Sequence, residues 1–380
     1  MVVRIRRNAD RLKQNVFRSM VGVRDKRHAH PGPDGFVLPA GVARGSARAV
    51  SEEERRRDGQ TKAEYQNKRP VARLEHEFTI NARAARTVTM DSMNRRFAGI
   101  AVGILGVLWP LGAQSPPKAN PASMESFQLP SHGAQLNALV YVAAGAGPHP
   151  AVVLLHGFPG NEKNHDLAQD MRRAGWDVLY FNYRGSWGSP GDFSFSHGIE
   201  DTAAAIAYLR QPAVAKQLRL DPGRIVLIGH SMGGFMAVQG TAADPAVIAM
   251  GLISAGDMGA RIPQPLPKAM EQVTVKAVSA GLAAEGMAPL AGCTPDGLAR
   301  ETIANAAAWS FASKADALKT RPVFVVTSDD GLAPANGAFV AALRKAGNGR
   351  VKTLHLATDH AYSDQRRELS AAVLAWLATI

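Results

Sequence analysis

The chain has 380 residues with a formal net charge of +12, and that charge is unevenly distributed. Residues 1–92 contain 20 Lys and Arg against 11 Asp and Glu, whereas residues 114–380 contain 22 against 21. The basic character therefore belongs to the N-terminal segment, which excludes a strongly basic catalytic domain. Cys293 is the only cysteine, which excludes an intramolecular disulfide, so about 260 residues must be stabilised by their own core.

The first 92 residues are rich in arginine and show no sustained apolar periodicity. We predict that this segment is disordered, or that it precedes the true translation start at Met90 or Met93. Basic tails often bind nucleic acid, so a nucleic-acid-binding arm is the alternative. No interleaved aromatic residues support that alternative, and we predict no nucleic-acid partner. N-terminal sequencing of the native protein tests the later translation start, because a start at Met1 would contradict it.

Residues 93–113 resemble a secretory signal peptide. A basic start is followed by an apolar stretch over 97–111 and then by the small residues Gly112 and Ala113. The apolar stretch is shorter than the roughly 20 residues that a membrane span requires. We therefore predict cleavage after Ala113, a linker over 114–124 and no stable membrane insertion afterwards. The mature protein is expected to be exported, to the periplasm or the medium of a bacterium.

Strand and helix patterns alternate through residues 125–380. This alternation predicts an α/β fold with a mostly parallel sheet and helices on both faces. Glu200 and Asp201 are predicted in the first turn of a helix over 199–209. Residues 255–316 interrupt the alternation without a clear strand, and we predict that they form a helical lid over the site. The predicted strands cover 127–129, 139–142, 151–155, 178–182, 224–228, 247–254, 321–327 and 351–356, and further helices cover 167–174 and the residues from 235.

The sequence G-H-S-M-G-G at 229–234 lies between an apolar strand and a helix. A serine in G-x-S-x-G between a strand and a helix is typical of the nucleophile elbow, a tight turn that exposes the serine oxygen. Glycines at 229 and 233 would let the strand and the helix approach closely. The pattern predicts Ser231 as a nucleophile.

A serine nucleophile requires a base, and the base requires a group that orients it. In this arrangement the acid and then the histidine follow the serine, each in a loop after a later strand. His360 lies in the loop after the last predicted strand, whereas His355 lies within that strand; His165 and His197 are weaker rivals. We predict His360 as the base. Asp329 and Asp330 both follow the strand over 321–327; we favour Asp330, and only geometry separates the two.

The apolar strand over 151–155 ends in H-G-F-P-G at 156–160. In the arrangement built on a nucleophile elbow, one oxyanion donor is a backbone N–H of this loop, and the other belongs to the residue after the nucleophile. We predict the amides of Phe158 and Met232, because Pro159 has no N–H. His156 is expected to shape the loop by hydrogen bonding.

Other candidate residues have weaker patterns around them. Trp187 and Phe193 could line a substrate pocket or pack within a surface loop. Nothing near Cys293 indicates a lowered pKa, so it is expected to be inert. His165 and His197 lack metal-ligand spacing, and we predict neither a metal nor a cofactor.

Taken together, residues 125–380 resemble the α/β-hydrolase fold through the segments at 156–160, 182–185, 229–234, 330–334 and 359–360. The stretch N-Y-R-G-S-W-G-S-P-G at 182–191 is similar to a loop of bacterial hydrolases grouped with the dipeptidyl and acylaminoacyl peptidases. That family has its acid four residues before a proline like Pro334, which implies Asp330. The oligopeptidases have a β-propeller before the hydrolase domain, and this chain has neither a repeat nor the length for one.

These features predict a serine hydrolase that cleaves a carboxylic ester by two-step acyl transfer through Ser231, His360 and Asp330. The expected partner is a small-molecule ester or a short peptide. A peptidase or amidase of the same fold is the alternative, and a non-catalytic binding domain is a third interpretation. The sequence indicates no oligomeric state.

Overall fold

The computed structural model describes residues 119–380, and eight strands of this region form one sheet. Along the sheet their order is 1-2-4-3-5-6-7-8. The first strand pairs antiparallel with the second and the second with the fourth, and every later pair is parallel. The strands are β1 (Ser123–Ser131), β2 (Ala134–Val142), β3 (His149–Leu155), β4 (Asp177–Phe181), β5 (Leu220–His230), β6 (Val247–Ile253), β7 (Val323–Thr327) and β8 (Val351–His355).

Helices connect these strands and cover the sheet. They are α1 (His165–Arg173), α2 (Phe195–Leu209), α3 (Pro212–Leu218), α4 (Met232–Ala243), α5 (Lys268–Ala284), α6 (Pro295–Trp309), α7 (Ala333–Lys345) and α8 (Arg366–Leu377), with a 3-10 helix at Phe311–Lys314. Among residues 119–380, no helix is long and apolar enough to cross a membrane.

The core lies on both faces of the sheet because successive strand residues point to opposite faces. Val153 and Leu227 belong to one apolar cluster, which includes side chains of α2, α4 and α7. Their chain neighbours Val152 and Val226 belong to a second cluster, with side chains of α1 and α8. Strands covered on both faces are continuously apolar, as the run over 151–155 is. The prediction of a mostly parallel sheet with helices on both faces is confirmed.

The prediction for the start of α2 is wrong. The helix begins at Phe195, four residues earlier than expected, and the Ser194 hydroxyl caps it by accepting from the His197 amide at 3.0 Å. Glu200 and Asp201 therefore lie in its second turn. The sequence pattern missed this start because the first turn, F-S-H-G, has no helix-favouring charge pattern.

The two acidic residues instead bind Arg184 in the loop after β4. Asp201 is fully buried, and it accepts hydrogen bonds from Arg184 Nε at 2.7 Å and from Ser131 Oγ at 2.6 Å. Glu200 pairs with the same guanidinium. A buried carboxylate requires such partners, so this cluster fixes the loop to α2.

The region predicted as a helical lid lies between β6 and β7. It contains α5, α6 and the 3-10 helix, and α5 and α6 pack against each other. Val275, Val278 and Leu282 are the buried apolar side chains of α5, and they belong to the same cluster as Leu298 of α6. We refer to residues 255–316 as the cap.

Three predictions concern the N-terminal part of the chain. The basic segment 1–92 and the signal peptide 93–113 lie outside the described residues. The predicted linker 114–124 is described only from residue 119, and β1 begins at Ser123, two residues before the predicted start of the hydrolase domain.

Candidate active site

Ser231 forms the one-residue turn between β5 and α4. Its backbone has φ 57° and ψ −121°, a conformation that is strained for a residue with a side chain. Three backbone hydrogen bonds hold it there. The Ser231 amide donates to the Ile253 carbonyl at 2.9 Å, and the Ser231 carbonyl accepts from Gly256 at 2.9 Å and Gly234 at 3.0 Å. The ends of β5 and β6 therefore determine where the serine side chain lies.

Three glycines make this turn sterically allowed. A Cβ on Gly229 would lie 2.0 Å from the Gly233 carbonyl oxygen, and a Cβ on Gly233 would lie 2.0 Å from the Leu155 carbonyl oxygen. A Cβ on Gly157 would lie 2.9 Å from Ser231 Cβ and 3.4 Å from its Oγ. The loop after β3 therefore passes directly against the serine side chain, and any larger residue at 157 would crowd it.

The amides of Phe158 and Met232 are unoccupied donors beside Ser231. All three residues line one cavity. Within residues 119–380, neither amide donates to another protein group. Met232 is the first residue of α4, where backbone N–H groups have no partner inside the helix. Two backbone donors are thus available next to the serine.

The loop after β3 is held by aromatic and imidazole groups. His156 Nδ1 donates to the Gly157 carbonyl at 2.8 Å, and the Trp187 indole donates to the Pro159 carbonyl at 2.8 Å. Burial lowers the pKa of His156 to about 4, so its ring is neutral near pH 7. His156 therefore shapes this loop.

His360 and Asp330 form a hydrogen-bonded pair, with His360 Nδ1 2.7 Å from Asp330 Oδ2. The Asp330 side chain is 4% exposed, and its Oδ1 accepts from the Leu332 amide at 2.9 Å. Burial raises the pKa of Asp330, but hydrogen bonds from His360, Ser254 and Leu332 outweigh burial and hold it at about 2. A carboxylate only accepts, so Nδ1 carries the proton and Nε2 is left able to accept one.

Asp329 has a different partner. Its Oδ1 lies 3.1 Å from His355 Nε2, and His355 Nδ1 contacts Thr327 Oγ1 at 3.0 Å. The side chains of Asp329 and His355 are 64% and 50% exposed. The two adjacent aspartates, which only geometry could distinguish, thus contact different histidines.

The structure brings the serine and histidine loops together through His230. In the described part of the chain, no hydrogen bond joins Ser231 Oγ to the His360 ring. His230 Nε2 instead donates to the His360 carbonyl at 2.8 Å, and the two imidazole rings are 4.6 Å apart. Burial, followed by the charge of His360, lowers the pKa of His230 to about 3, so this ring is neutral. Sequence reasoning missed His230, although a polar residue at the end of a buried strand was a signal.

A second contact that the sequence did not reveal supports Asp330. Tyr362 is fully buried with φ 58°, and its hydroxyl is 2.9 Å from Ser254 Oγ. The Ser254 hydroxyl is also 3.0 Å from Ser328 Oγ, and it helps to lower the pKa of Asp330. These residues join the end of β6 to both the acid loop and the histidine loop.

The cavity beside Ser231 has a volume of about 690 Å³, including the part that is open to solvent. Most of its wall comes from the cap. The lining residues are Phe158, Ser231, Met232, Gly256, Met258, Arg261, Ile262, Val278, Gly281, Leu282, Glu285 and Thr302.

The other sequence candidates lie elsewhere. Trp187 and Phe193 do not line this cavity, and Phe193 is buried against Phe158 and Phe195. His165 contacts the Tyr141 hydroxyl at 3.1 Å, and His197 donates to the Asp192 carbonyl at 2.8 Å. Burial raises the pKa of Cys293, as an inert thiol requires.

Comparison with known proteins agrees with this architecture. The sequence profile of the alpha/beta hydrolase family matches residues 152–372, and the chain belongs to that family. An uncharacterised protein of Mycobacterium tuberculosis is 30% identical over 151 residues, which are 37% of this chain. The chain spans about half the length of that relative, 52%.

Two solved structures share the fold. One is an esterase of Pyrobaculum calidifontis, with a TM-score of 0.50 and 20% identity, covering 67% of this chain and 84% of its own. The other comes from a study of two Rhizomucor miehei esterases, with a TM-score of 0.52 and 18% identity, covering 69% of this chain and 85% of its own. At such identities the likeness concerns the fold alone.

Proposed function

We propose that this protein is a serine hydrolase that cleaves carboxylic esters, with Ser231 as nucleophile, His360 as base and Asp330 as the orienting acid. One observation carries the proposal: a strained serine turn lies in one cavity with two unoccupied backbone amides. Such a turn and such donors are what acyl transfer requires. The His360–Asp330 pair supports the same assignment, because the hydrogen bond at His360 Nδ1 leaves His360 Nε2 able to accept a proton.

The reaction proceeds in two steps. Ser231 Oγ attacks the ester carbonyl carbon while His360 Nε2 takes the hydroxyl proton, and Asp330 stabilises the imidazolium. The amides of Phe158 and Met232 bind the oxyanion of the tetrahedral intermediate. His360 then protonates the departing alkoxide, which leaves an acyl-enzyme. Water then attacks the acyl carbonyl in the same way while His360 takes its proton, and His360 returns a proton to Ser231 Oγ. The carboxylic acid and the free serine are released. In the absence of a substrate, hydrogen bonds between such groups are often long, and they tighten in the Michaelis complex.

Esters are preferred over amides as substrates on chemical grounds, because alkoxide leaving groups demand less of the site than amines do. The peptidase alternative depends on the stretch at 182–191. Arg184 of that stretch is bound to Glu200 and Asp201, and Trp187 holds the loop after β3. None of its residues lines the cavity. These contacts give the stretch a structural role and do not favour peptide recognition.

A fluorophosphonate probe tests the nucleophile. We expect the wild-type protein to be labelled and Ser231→Ala to remain unlabelled, because phosphonylation requires the serine Oγ. Ser126→Ala, which changes an exposed serine on β1, serves as the matched control and is expected to be labelled like the wild type. Unlabelled wild-type protein would favour a non-catalytic binding domain.

A substrate panel tests the choice of bond. It contains p-nitrophenyl esters of increasing acyl length and aminoacyl p-nitroanilides. We expect turnover of the esters to exceed turnover of the anilides. Hydrolysis of the anilides alone would replace the ester assignment with a peptidase or amidase assignment.

We also propose that the protein is exported, on the basis of the signal-like sequence pattern at 93–113. Mass spectrometry of the mature N-terminus tests this, with cleavage after Ala113 expected. A mature protein that retains residues 93–113 would contradict it.

A further inference from the structure

Arg261 brings a positive charge into the cavity next to the nucleophile. It lies in the cap, in the turn that follows β6, and it is an exposed residue that lines the cavity. The position that a Cβ on Gly256 would occupy is 3.6 Å from Arg261 Nη2 and 3.8 Å from the Ser231 carbonyl group. Arg261 and the Ser231 backbone are thus neighbours of the same point beside Gly256, each at a distance of ordinary van der Waals contact.

The turn that presents Arg261 is itself fixed. Asp257 Oδ1 accepts from the Ala260 amide at 2.9 Å, and its Oδ2 accepts from the Phe311 amide at 3.0 Å. The Ile262 amide closes the turn by donating to Gly259 at 3.1 Å. Arg261 is therefore held by a short turn that is bound to the far end of the cap.

The guanidinium has no protein partner among residues 119–380, where neither a hydrogen bond nor a salt bridge reaches it. The carboxylates of Glu285, Asp257 and Asp330 act on it from a distance. Asp257 accepts from backbone amides and Asp330 pairs with His360. Glu285 lines the same cavity, and in the described part of the chain its carboxylate has no hydrogen-bond or ion-pair partner. Desolvation by the surrounding protein lowers the pKa of Arg261. Its guanidinium nevertheless stays charged, because arginine is not deprotonated in proteins.

We infer that Arg261 determines substrate specificity, and that the substrate is an ester with a carboxylate a few bonds from its scissile carbonyl. This inference rests on the proposed function. A guanidinium binds a carboxylate through two parallel hydrogen bonds, which gives both affinity and orientation. Apolar residues make up most of the remaining wall, so they would contact the carbon chain between the two functional groups. Glu285 disfavours a second anionic group in the same cavity.

Paired substrates, of which one member of each pair carries an added carboxylate, test the inference. Mono-p-nitrophenyl glutarate is compared with p-nitrophenyl valerate for a carboxylate on the acyl side, and 4-acetoxybenzoate with phenyl acetate for one on the alcohol side. We expect the anionic member of at least one pair to have the higher kcat/KM. Arg261→Gln should lower kcat/KM for that anionic ester by about 10- to 100-fold and change the neutral ester by less than about 3-fold. Arg261→Lys should restore part of the loss.

Two further variants complete the design. Arg300→Gln removes an exposed positive charge of α6 outside the cavity and should leave both members of each pair unchanged. Glu285→Gln should raise kcat/KM for the anionic ester, because it removes a repelling charge. Equal losses on anionic and neutral esters in Arg261→Gln and Glu285→Gln would indicate an Arg261–Glu285 contact that shapes the cap, and would overturn the inference.

Preference for the neutral member of both pairs would also overturn the inference while leaving the ester hydrolase assignment intact. Failure of that assignment looks different, since neither neutral nor anionic esters would then be hydrolysed and the fluorophosphonate would not label Ser231.

Discussion

Two histidine–aspartate pairs lie side by side at the ends of β7 and β8, and they differ in burial. In one pair the Asp330 side chain is 4% exposed and bonds His360; in the other, Asp329 and His355 are 64% and 50% exposed. The first pair has further partners, because the Leu332 amide binds Asp330 and the His230 ring binds the His360 backbone. The second is bordered by Thr327 and solvent. The same two residue types thus form an oriented pair in one place and a surface ion pair in the other.

Mutating the two histidines gives the largest expected difference. His360→Gln should lower kcat for ester hydrolysis by on the order of 10⁵- to 10⁶-fold, because the serine loses its base. His355→Gln is the matched control, since it removes an imidazole–aspartate contact of the same kind, and its kcat should stay within about twofold of wild type. Losses of similar size in both variants would break the distinction between the pairs.

Mutating the two aspartates gives the next largest difference. Asp330→Asn should lower kcat by on the order of 10⁴-fold, because an amide in place of the carboxylate favours the wrong imidazole tautomer. Asp329→Asn should leave kcat nearly unchanged. A large loss in Asp329→Asn beside a small one in Asp330→Asn would assign the acid to the other residue. Thermal unfolding of both variants controls for loss of the fold.

The sequence alone predicted the local parts of this site, and it did so for a physical reason. The turn at Ser231 depends on residues within a few positions of it, with glycines where an added Cβ would lie 2.0 Å from a carbonyl oxygen. Its pattern is therefore visible in G-H-S-M-G-G. The sheet could also be predicted from the sequence, because strands buried on both faces are uniformly apolar. The catalytic roles of Ser231, His360 and Asp330 remain predictions that the variants above test.

Other features depended on distant segments and could not be read locally. Asp329 and Asp330 are adjacent, and which of them meets His360 depends on how two loops leave β7 and β8. Tyr362 and Ser254 are separated by 108 positions, and no periodicity connects them. In the sequence, Arg261 is one of several charged residues of the cap. Its relation to Ser231 became visible only with Gly256 and the turn of Asp257 in three dimensions.

Acid stability sharpens the comparison, because the His230 ring is packed against the His360 ring, with the ring centroids 4.6 Å apart. The pKa of His230 is about 3 in the folded protein and 6.5 in an unfolded chain, so the unfolded state binds the proton first as the pH falls. The contribution of His230 to the free energy of unfolding should therefore be constant above about pH 6.5. It should decline by about 1.4 kcal/mol per pH unit as the pH falls towards 3. His230→Gln, which keeps a donor for the His360 carbonyl, should flatten this slope.

Urea unfolding at pH 7.0, 5.5 and 4.5 measures that slope. Between pH 7.0 and 4.5 the wild type should lose about 2–3 kcal/mol more stability than His230→Gln. His156, with a pKa of about 4, contributes a similar slope to both proteins and cancels in the comparison. Parallel plots of unfolding free energy against pH for the two proteins would contradict this prediction. They would show that His230 binds a proton equally well in the folded and unfolded states.

The smallest expected effect concerns the exposed pair itself. A double-mutant cycle with Asp329→Asn and His355→Gln should give a coupling free energy below about 1 kcal/mol at pH 6, because solvent screens an exposed pair and both side chains lose freedom when they meet. Chemical unfolding of the wild type, the two single variants and the double variant measures it. A coupling of about 2 kcal/mol or more would mean that the exposed pair also fixes the ends of β7 and β8. Burial would then not separate the two pairs, and the Asp329 loop would have to be treated as part of the support for Asp330.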